Sequence, residues 1–161
     1  MDKPSQIEFH PNARNVLFSV SSDLGHPNIR VWDLDQQKVT FKYSAGPSSG
    51  VLYAAWSPDG RKIAIHSKDK QLRVLDARTG EELAKTKSHE GIRPSRIVWL
   101  NSDQLATIGF GLGSMREILV FDINNMGKYL RRKPIDVSPS VMSVHYDPDC
   151  DILYVAGRVV C

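Results

Sequence analysis

The strongest constraint in this chain is a repeat. An aromatic residue closes an apolar run at positions 9, 56, 99 and 146, so the intervals are 47, 43 and 47 residues. The four copies are Ile7-Glu8-Phe9-His10-Pro11-Asn12, Ala54-Ala55-Trp56-Ser57-Pro58-Asp59-Gly60, Ile97-Val98-Trp99-Leu100-Asn101-Ser102-Asp103 and Val144-His145-Tyr146-Asp147-Pro148-Asp149. A second series runs in step. Ile29-Arg30-Val31-Trp32-Asp33, Leu72-Arg73-Val74-Leu75-Asp76 and Ile118-Leu119-Val120-Phe121-Asp122 each end an apolar run on Asp, with spacings of 43 and 46. Two independent markers that keep one period specify a chain built from copies of one supersecondary unit.

The second copy shows that unit most clearly. Val51 to Trp56 predicts a strand, and Ser57-Pro58-Asp59-Gly60 a turn in which Pro presets φ and Gly accepts a positive φ. Ile63 to Ser67, rich in β-branched residues, is the next strand. Lys68-Asp69-Lys70 turns the chain, Leu72 to Asp76 follows, and Glu82 to Lys87 comes after Arg78-Thr79-Gly80. Four short antiparallel strands at this period are one blade of a WD40-type β-propeller. No window keeps apolar residues at helical spacing over three turns. The predicted fold is therefore all-β, a partial WD40-type propeller of about three and a half four-stranded blades. Its repeats fall at about 5–48, 49–91 and 92–138, with a partial one at 139–158 and a divergent tail at 159–161. Strands from Val141 to Tyr146 and Ile152 to Ala156 make the half blade. Propellers have about four to eight blades, so this count predicts a truncated piece of a longer ring. Its open blade edges would favour self-association.

Composition narrows the function classes. The 161 residues carry 21 Lys and Arg against 18 Asp and Glu, a net charge of +3 that makes no electrostatic footprint for nucleic acid. The two cysteines, Cys150 and Cys161, form neither a disulfide framework nor a zinc pattern, which predicts a reducing compartment. The chain start lacks the apolar stretch of a signal peptide, and no run reaches the roughly 20 apolar residues that span a bilayer. The expected location is cytoplasmic.

Motifs that resemble catalytic or ligand loops lack their second halves. Gly109-Phe110-Gly111-Leu112-Gly113 has spaced glycines, but a strand follows where a phosphate loop needs a helix N-terminus. Asp147, Asp149 and Asp151 alternate as in a calcium loop, yet the positions that require Gly and Glu hold Ile152 and Arg158. His89 is a candidate for the His–Ser–Asp–Trp hydrogen-bond network of WD blades, with Ser67 and Asp69 as further members and Leu75 where the Trp belongs. The remaining histidines form no ligand cluster. We expect no catalytic residue, cofactor or metal. Two basic groups remain as protein-contact candidates. Arg61, Lys62, Lys68, Lys70 and Arg73 lie around one hairpin, and Lys128, Arg131, Arg132 and Lys133 follow one another closely, with Tyr129 among them.

Five segments in order resemble the coronin family. They are Lys68-Asp69-Lys70-Gln71-Leu72-Arg73-Val74, His89-Glu90-Gly91-Ile92-Arg93-Pro94, Thr107-Ile108-Gly109-Phe110 with Ser114-Met115-Arg116-Glu117, Asp136-Val137-Ser138-Pro139-Ser140, and Tyr146-Asp147-Pro148-Asp149 with Val155-Ala156-Gly157. Ser95-Arg96-Ile97-Val98-Trp99 and Asp136 to Ser140 are most similar to the second propeller of the two-propeller coronins. The ending Val159-Val160-Cys161 departs from the family pattern. The resemblance implies a non-catalytic module that binds F-actin through its basic groups and organises the cytoskeleton, at the cytoskeleton or at the Golgi or vesicle periphery. A WD-repeat scaffold or adaptor in a trafficking or ubiquitin-ligase complex, without actin contact, is the alternative expectation.

Overall fold

A computed structural model describes residues 3–21, 28–46, 49–91 and 93–158. Ile92 and the tail Val159-Val160-Cys161 lie outside the described residues. Among those described, fourteen strands form three four-stranded sheets and one two-stranded sheet, all antiparallel. Blade 1 comprises β1 (Gln6–Phe9), β2 (Val16–Val20), β3 (Ile29–Asp33) and β4 (Lys38–Tyr43). Blade 2 comprises β5 (Val51–Trp56), β6 (Lys62–Ser67), β7 (Gln71–Asp76) and β8 (Glu82–Lys87). Blade 3 comprises β9 (Arg96–Trp99), β10 (Gln104–Phe110), β11 (Met115–Asp122) and β12 (Arg131–Val137), and a half blade pairs β13 (Met142–Asp147) with β14 (Ile152–Gly157). The helical residues are two three-residue 3₁₀ turns, Leu112–Ser114 and Ile123–Asn125. This is the partial all-β propeller that the repeat predicts.

Each blade is a meander in sequence order, and local chemistry explains why. The tight turns spend side chains on their own backbone. Asp59 Oδ1 accepts from Ser57 Oγ at 2.6 Å and from the Arg61 amide at 3.0 Å, while Asp76 Oδ1 accepts from the amides of Arg78 and Thr79 at 2.8 Å each. Gly60 takes a φ of +72°, and a Cβ there would run into the His10 ring. The loop with spaced glycines is a 3₁₀ turn that leads into β11. In the loop with three carboxylates, Asp147 Oδ1 accepts from the Asp149 amide at 2.9 Å, and Asp151 accepts from the Tyr146 hydroxyl at 2.6 Å. Turn chemistry thus occupies both segments.

Strand alternation sends successive side chains to opposite faces, and blades cover both faces of their neighbours. Ile63 and Ile65 of β6 pack against Phe18, Val20, Ile29 and Val31 of blade 1. Ala64 on the same strand, with Leu72 and Val74, packs against Ile97, Trp99, Leu105, Leu119 and Phe121 of blade 3. Ala106 and Ile108 face the half blade, where Met142, Val144, Leu153 and Val155 meet them. The second strands, covered on both sides, are the most buried, whereas the fourth strands are largely exposed.

The first strands of adjacent blades have no shared ladder, and side chains bridge them instead. Gln6 donates to the Ala54 carbonyl at 2.7 Å and accepts from the Ala54 amide at 3.1 Å. The Trp56 indole donates to the Glu8 carbonyl at 3.3 Å, and the Trp99 indole to the Ala55 carbonyl at 3.1 Å. In blades 2 and 3 the repeated aromatic is therefore a residue that ties the blade to the one before it. A Trp99→Phe substitution keeps the ring but loses this buried bond. It is expected to lower unfolding stability by about 1 to 2 kcal/mol, read from the midpoint of a urea melt. No measurable change would show that the indole bond carries nothing.

Candidate functional site

Above the apolar layer, every seam between blades carries a polar layer. At the seam between blades 1 and 2, Arg73 is buried. It donates to Ser67 Oγ at 2.9 Å, to both Asp69 oxygens at 3.2 and 2.5 Å, and pairs with Glu82 at 3.3 Å. Glu82 in turn accepts from the Tyr43 hydroxyl of blade 1 at 3.0 Å. Burial is the largest single influence and pushes Asp69 upward, but the bond and charge of Arg73 together with the Gln71 amide outweigh it and the carboxyl ends below its usual range. Burial, aided by Glu82, pushes the Tyr43 phenol up to about 12.

At the next seam, His89 Nδ1 pairs with Glu117 Oε1 at 3.0 Å, and Arg132 donates to Glu117 Oε2 at 2.7 Å. The His89 hydrogen bond, with Arg132 beside it, holds Glu117 below the usual carboxylate range although its side chain is buried. The His66 ring lies 6.4 Å from that of His89. At the third seam, Arg116 is buried and pairs through two nitrogens with Asp136, while donating to Ser140 Oγ at 3.0 Å.

The structure divides the expected His–Ser–Asp set. Ser67 and Asp69 join Arg73, facing blade 1, whereas His89 faces blade 3 and takes Glu117. The reason is strand parity. Ser67 points with Ile63 and Ile65 to one side of β6, and His89 follows β8 and enters the other seam. In blade 1, Trp32 Nε1 donates to Ser19 Oγ at 2.9 Å, so the Trp of the WD pattern has its Ser partner there. In blade 2, Leu75 is buried in the apolar core, and Arg73 supplies the donors. Sequence reading missed Gln6, Glu117, Arg116 and Asp136. Arg116 and Glu117 did leave a signal, two charges opening an otherwise apolar strand; Gln6 left none.

The first basic group also comes apart. Arg61 and Lys62 sit at one end of β6, Lys68 and Lys70 at the other, roughly 20 Å away by strand rise. Arg73 is committed to its seam. Lys62 donates to the Ser102 carbonyl at 2.8 Å and to Asp103 at 3.2 Å, and Lys70 lies 3.9 Å from Glu90. The five residues therefore make no single patch, because a strand separates the two turns that carry them. The second group lies along the rim of blade 3, with Arg132 on the face of β12 towards blade 2 and Arg131 and Lys133 on the opposite face. Lys128, Arg131, Arg132 and Lys133 are all exposed, and only Arg132 has an ion-pair partner among the described residues. Lys128, Tyr129 and Arg132, with Lys87 of blade 2, border a cleft of about 370 Å³ floored by Leu119 and Phe121. Among the described residues there is no group of three or more His, Cys, Asp or Glu placed to hold a metal, and no helix long and apolar enough to cross a membrane.

Four-stranded meanders stacked through apolar seams, with a Trp–Ser pair and polar caps, define a WD40-type β-propeller segment. Residues 12–104, more than half of the chain, match the family model described as the anaphase-promoting complex subunit 4 WD40 domain, and the chain belongs to that WD40 family. Its relatives place it more narrowly. Human Coronin-7 is 35% identical over 160 residues, covering 98% of this chain and 17% of the relative. The coronin-like protein crn1 of Schizosaccharomyces pombe is 30% identical, covering 97% of this chain and 26% of the relative. The WD40 domain of Toxoplasma gondii coronin superposes with a TM-score of 0.88 at 24% identity, over 97% of this chain and 40% of that one. The chain thus has coronin homologues at 30 to 35% identity over nearly its whole length, and it spans about a sixth to a quarter of the length of these relatives.

Burial, reinforced by His89, lowers the His66 pKa from 6.5 to about 4. The folded chain thus refuses a proton that the unfolded chain accepts between these values. The stability held by neutral His66 is complete above pH 6.5 and drains away as pH falls towards 4, by roughly 3 kcal/mol in all. Carboxylates held below their usual range act only at lower pH. Urea melts from pH 7.5 to 4.5 should show this loss, and a His66→Asn variant should lose most of the slope. An identical slope in the variant would remove His66 as its cause.

Proposed function

We propose that this chain is a non-catalytic, protein-binding module that contributes to actin-filament attachment and cytoskeletal organisation in the cytoplasm, at filaments or at the Golgi and vesicle periphery. The observation that carries this reading is the rim of blade 3. There, among the described residues, Lys128, Arg131 and Lys133 have no ion-pair partner, Lys128 at the edge of a cleft with an apolar floor and Arg131 and Lys133 on the opposite face of β12. Unpaired cations on a rigid strand suit an acidic protein surface, and the coronin relatives make F-actin the acidic surface of choice. The polar clusters at the seams support the same reading from the other side. Each buried charge there is bound to another blade or to its own turn, which is structural work. Arg61 and Lys68 remain as exposed cations on opposite ends of blade 2, available only to separate contacts.

A second reading is a WD-repeat scaffold or adaptor in a trafficking or ubiquitin-ligase complex, without actin contact. The match to the WD40 domain of an anaphase-promoting complex subunit favours it. Cosedimentation with F-actin at several salt concentrations separates the two. The chain should pellet at low salt and progressively less as ionic strength rises, since exposed charges are screened beyond about 10 Å at 0.1 M. Reversing Lys128, Arg131 and Lys133 together to Glu should weaken pelleting at least tenfold and leave the melt unchanged. Absence of pelleting at low salt would overturn the actin reading and leave the adaptor.

A further inference from the structure

The seam between blades 2 and 3 differs from its neighbours in one respect. Among the described residues, six buried side-chain atoms have no protein hydrogen-bond partner: His66 Nδ1 and Nε2, His89 Nε2, Ser88 Oγ, Ser95 Oγ and Thr107 Oγ1. All six belong to this one seam. His66 shares its face of β6 with Ala64, which packs on blade 3. Thr107 shares its face of β10 with Leu105, in the same cluster, Ser95 stands two residues before Ile97 of that cluster, and Ser88 borders the cleft between blades 2 and 3. Gly109, two residues beyond Thr107, presses on the His89 ring, since a Cβ there would stand 2.5 Å from it. The unpartnered atoms thus gather over the apolar layer, at the level of the two histidine rings.

We infer that this seam is an internal hydration site, in which ordered water bridges His66 and His89 to the hydroxyls of Ser88, Ser95 and Thr107. Buried polar atoms without partners are rare in folded proteins, and six in one place are what two or three waters with about three bonds each would satisfy. The ring geometry agrees. Ring nitrogens lie about 1.1 Å from a centroid, so at 6.4 Å between centroids no two nitrogens approach closer than about 4 Å. That is too long for a direct bond and within the reach of one bridging water. The bond from His89 Nδ1 to Glu117 turns Nε2 of the same ring towards the seam. The side chains also exclude other occupants. Burial keeps His66 neutral, so it brings no positive charge to an anion, and Glu117 beside His89 would repel one.

The test uses the sign of a substitution. A hydroxyl left unbonded in a dry seam is a net cost, so deleting it raises stability; a hydroxyl that binds water contributes, so deleting it lowers stability. Thr107→Val and Ser95→Ala should each lower the melting temperature of the chain by about 3 °C. Ser95→Ala adds no atoms, so crowding does not explain a loss there. A rise, or no change, in both variants would overturn the proposal. A crystal structure that resolves ordered water should place at least one molecule within hydrogen-bond distance of two of the six atoms, and a dry seam would equally overturn it.

Discussion

Neighbouring blades share no backbone ladder, and what joins one to the next therefore passes mainly through side chains. This constraint explains most of what is unusual in the sequence. A sheet that continues sideways satisfies its own amides and carbonyls. A propeller interrupts the sheet at each blade, and its inner strands need other partners. The two indole bonds, from Trp56 to Glu8 and from Trp99 to Ala55, and the double contact of Gln6 with Ala54 supply them. The repeat is visible because a bulky aromatic recurs at the same place on each first strand, and in blades 2 and 3 it is a Trp that also donates across the seam.

Alternation along each strand then assigns every residue to one of two seams. In β6, Ile63 and Ile65 go to blade 1, while Ala64 and His66 go to blade 3. Adjacent residues in sequence thus serve different interfaces. That is why the clusters Ser67–Asp69–Arg73 and His89–Glu117–Arg132 are separate, although all six positions lie close to the turn end of the seams. Buried ion pairs are dear to form and dearer to break, because removal of one partner strands the other. Arg73 with Asp69 and Arg116 with Asp136 pair within one blade, so the polar contacts that register one blade on the next are those that cross, Tyr43 on Glu82 and His89 on Glu117. A mispaired blade would leave the buried Glu117 without His89.

The fold was legible because its signals are local and repeated. Ser57-Pro58-Asp59-Gly60 announces a turn whatever lies around it, and the strand from Val51 to Trp56 is bounded as expected. The seams were harder to read, because their partners sit some 15 to 48 residues apart and depend on strand parity. A lone Leu75 in place of Trp announces a missing donor, but nothing local says that Arg73 two residues earlier supplies it. The basic residues around β6 failed as a group for the same reason. Closeness in sequence around a hairpin does not mean closeness in space when a full strand separates its turns.

The contrast between the two basic groups bears on function. Cations near β6 are drawn into the structure: Arg73 into a seam, Lys62 across to blade 3, Lys70 towards Glu90. On β12 the strand is the outermost of its blade and has no neighbour on its free edge. Arg132, on the face towards blade 2, still finds Glu117. Arg131 and Lys133 point the other way, on the face of Ile118 and Val120, beyond the reach of the half blade's two strands. Charge on an exposed edge also blocks indiscriminate strand pairing. The same residues can therefore guard the edge in the free chain and meet an acidic partner when one arrives. A surface that serves both purposes needs cations held by the strand and left unpaired, which is what blade 3 presents.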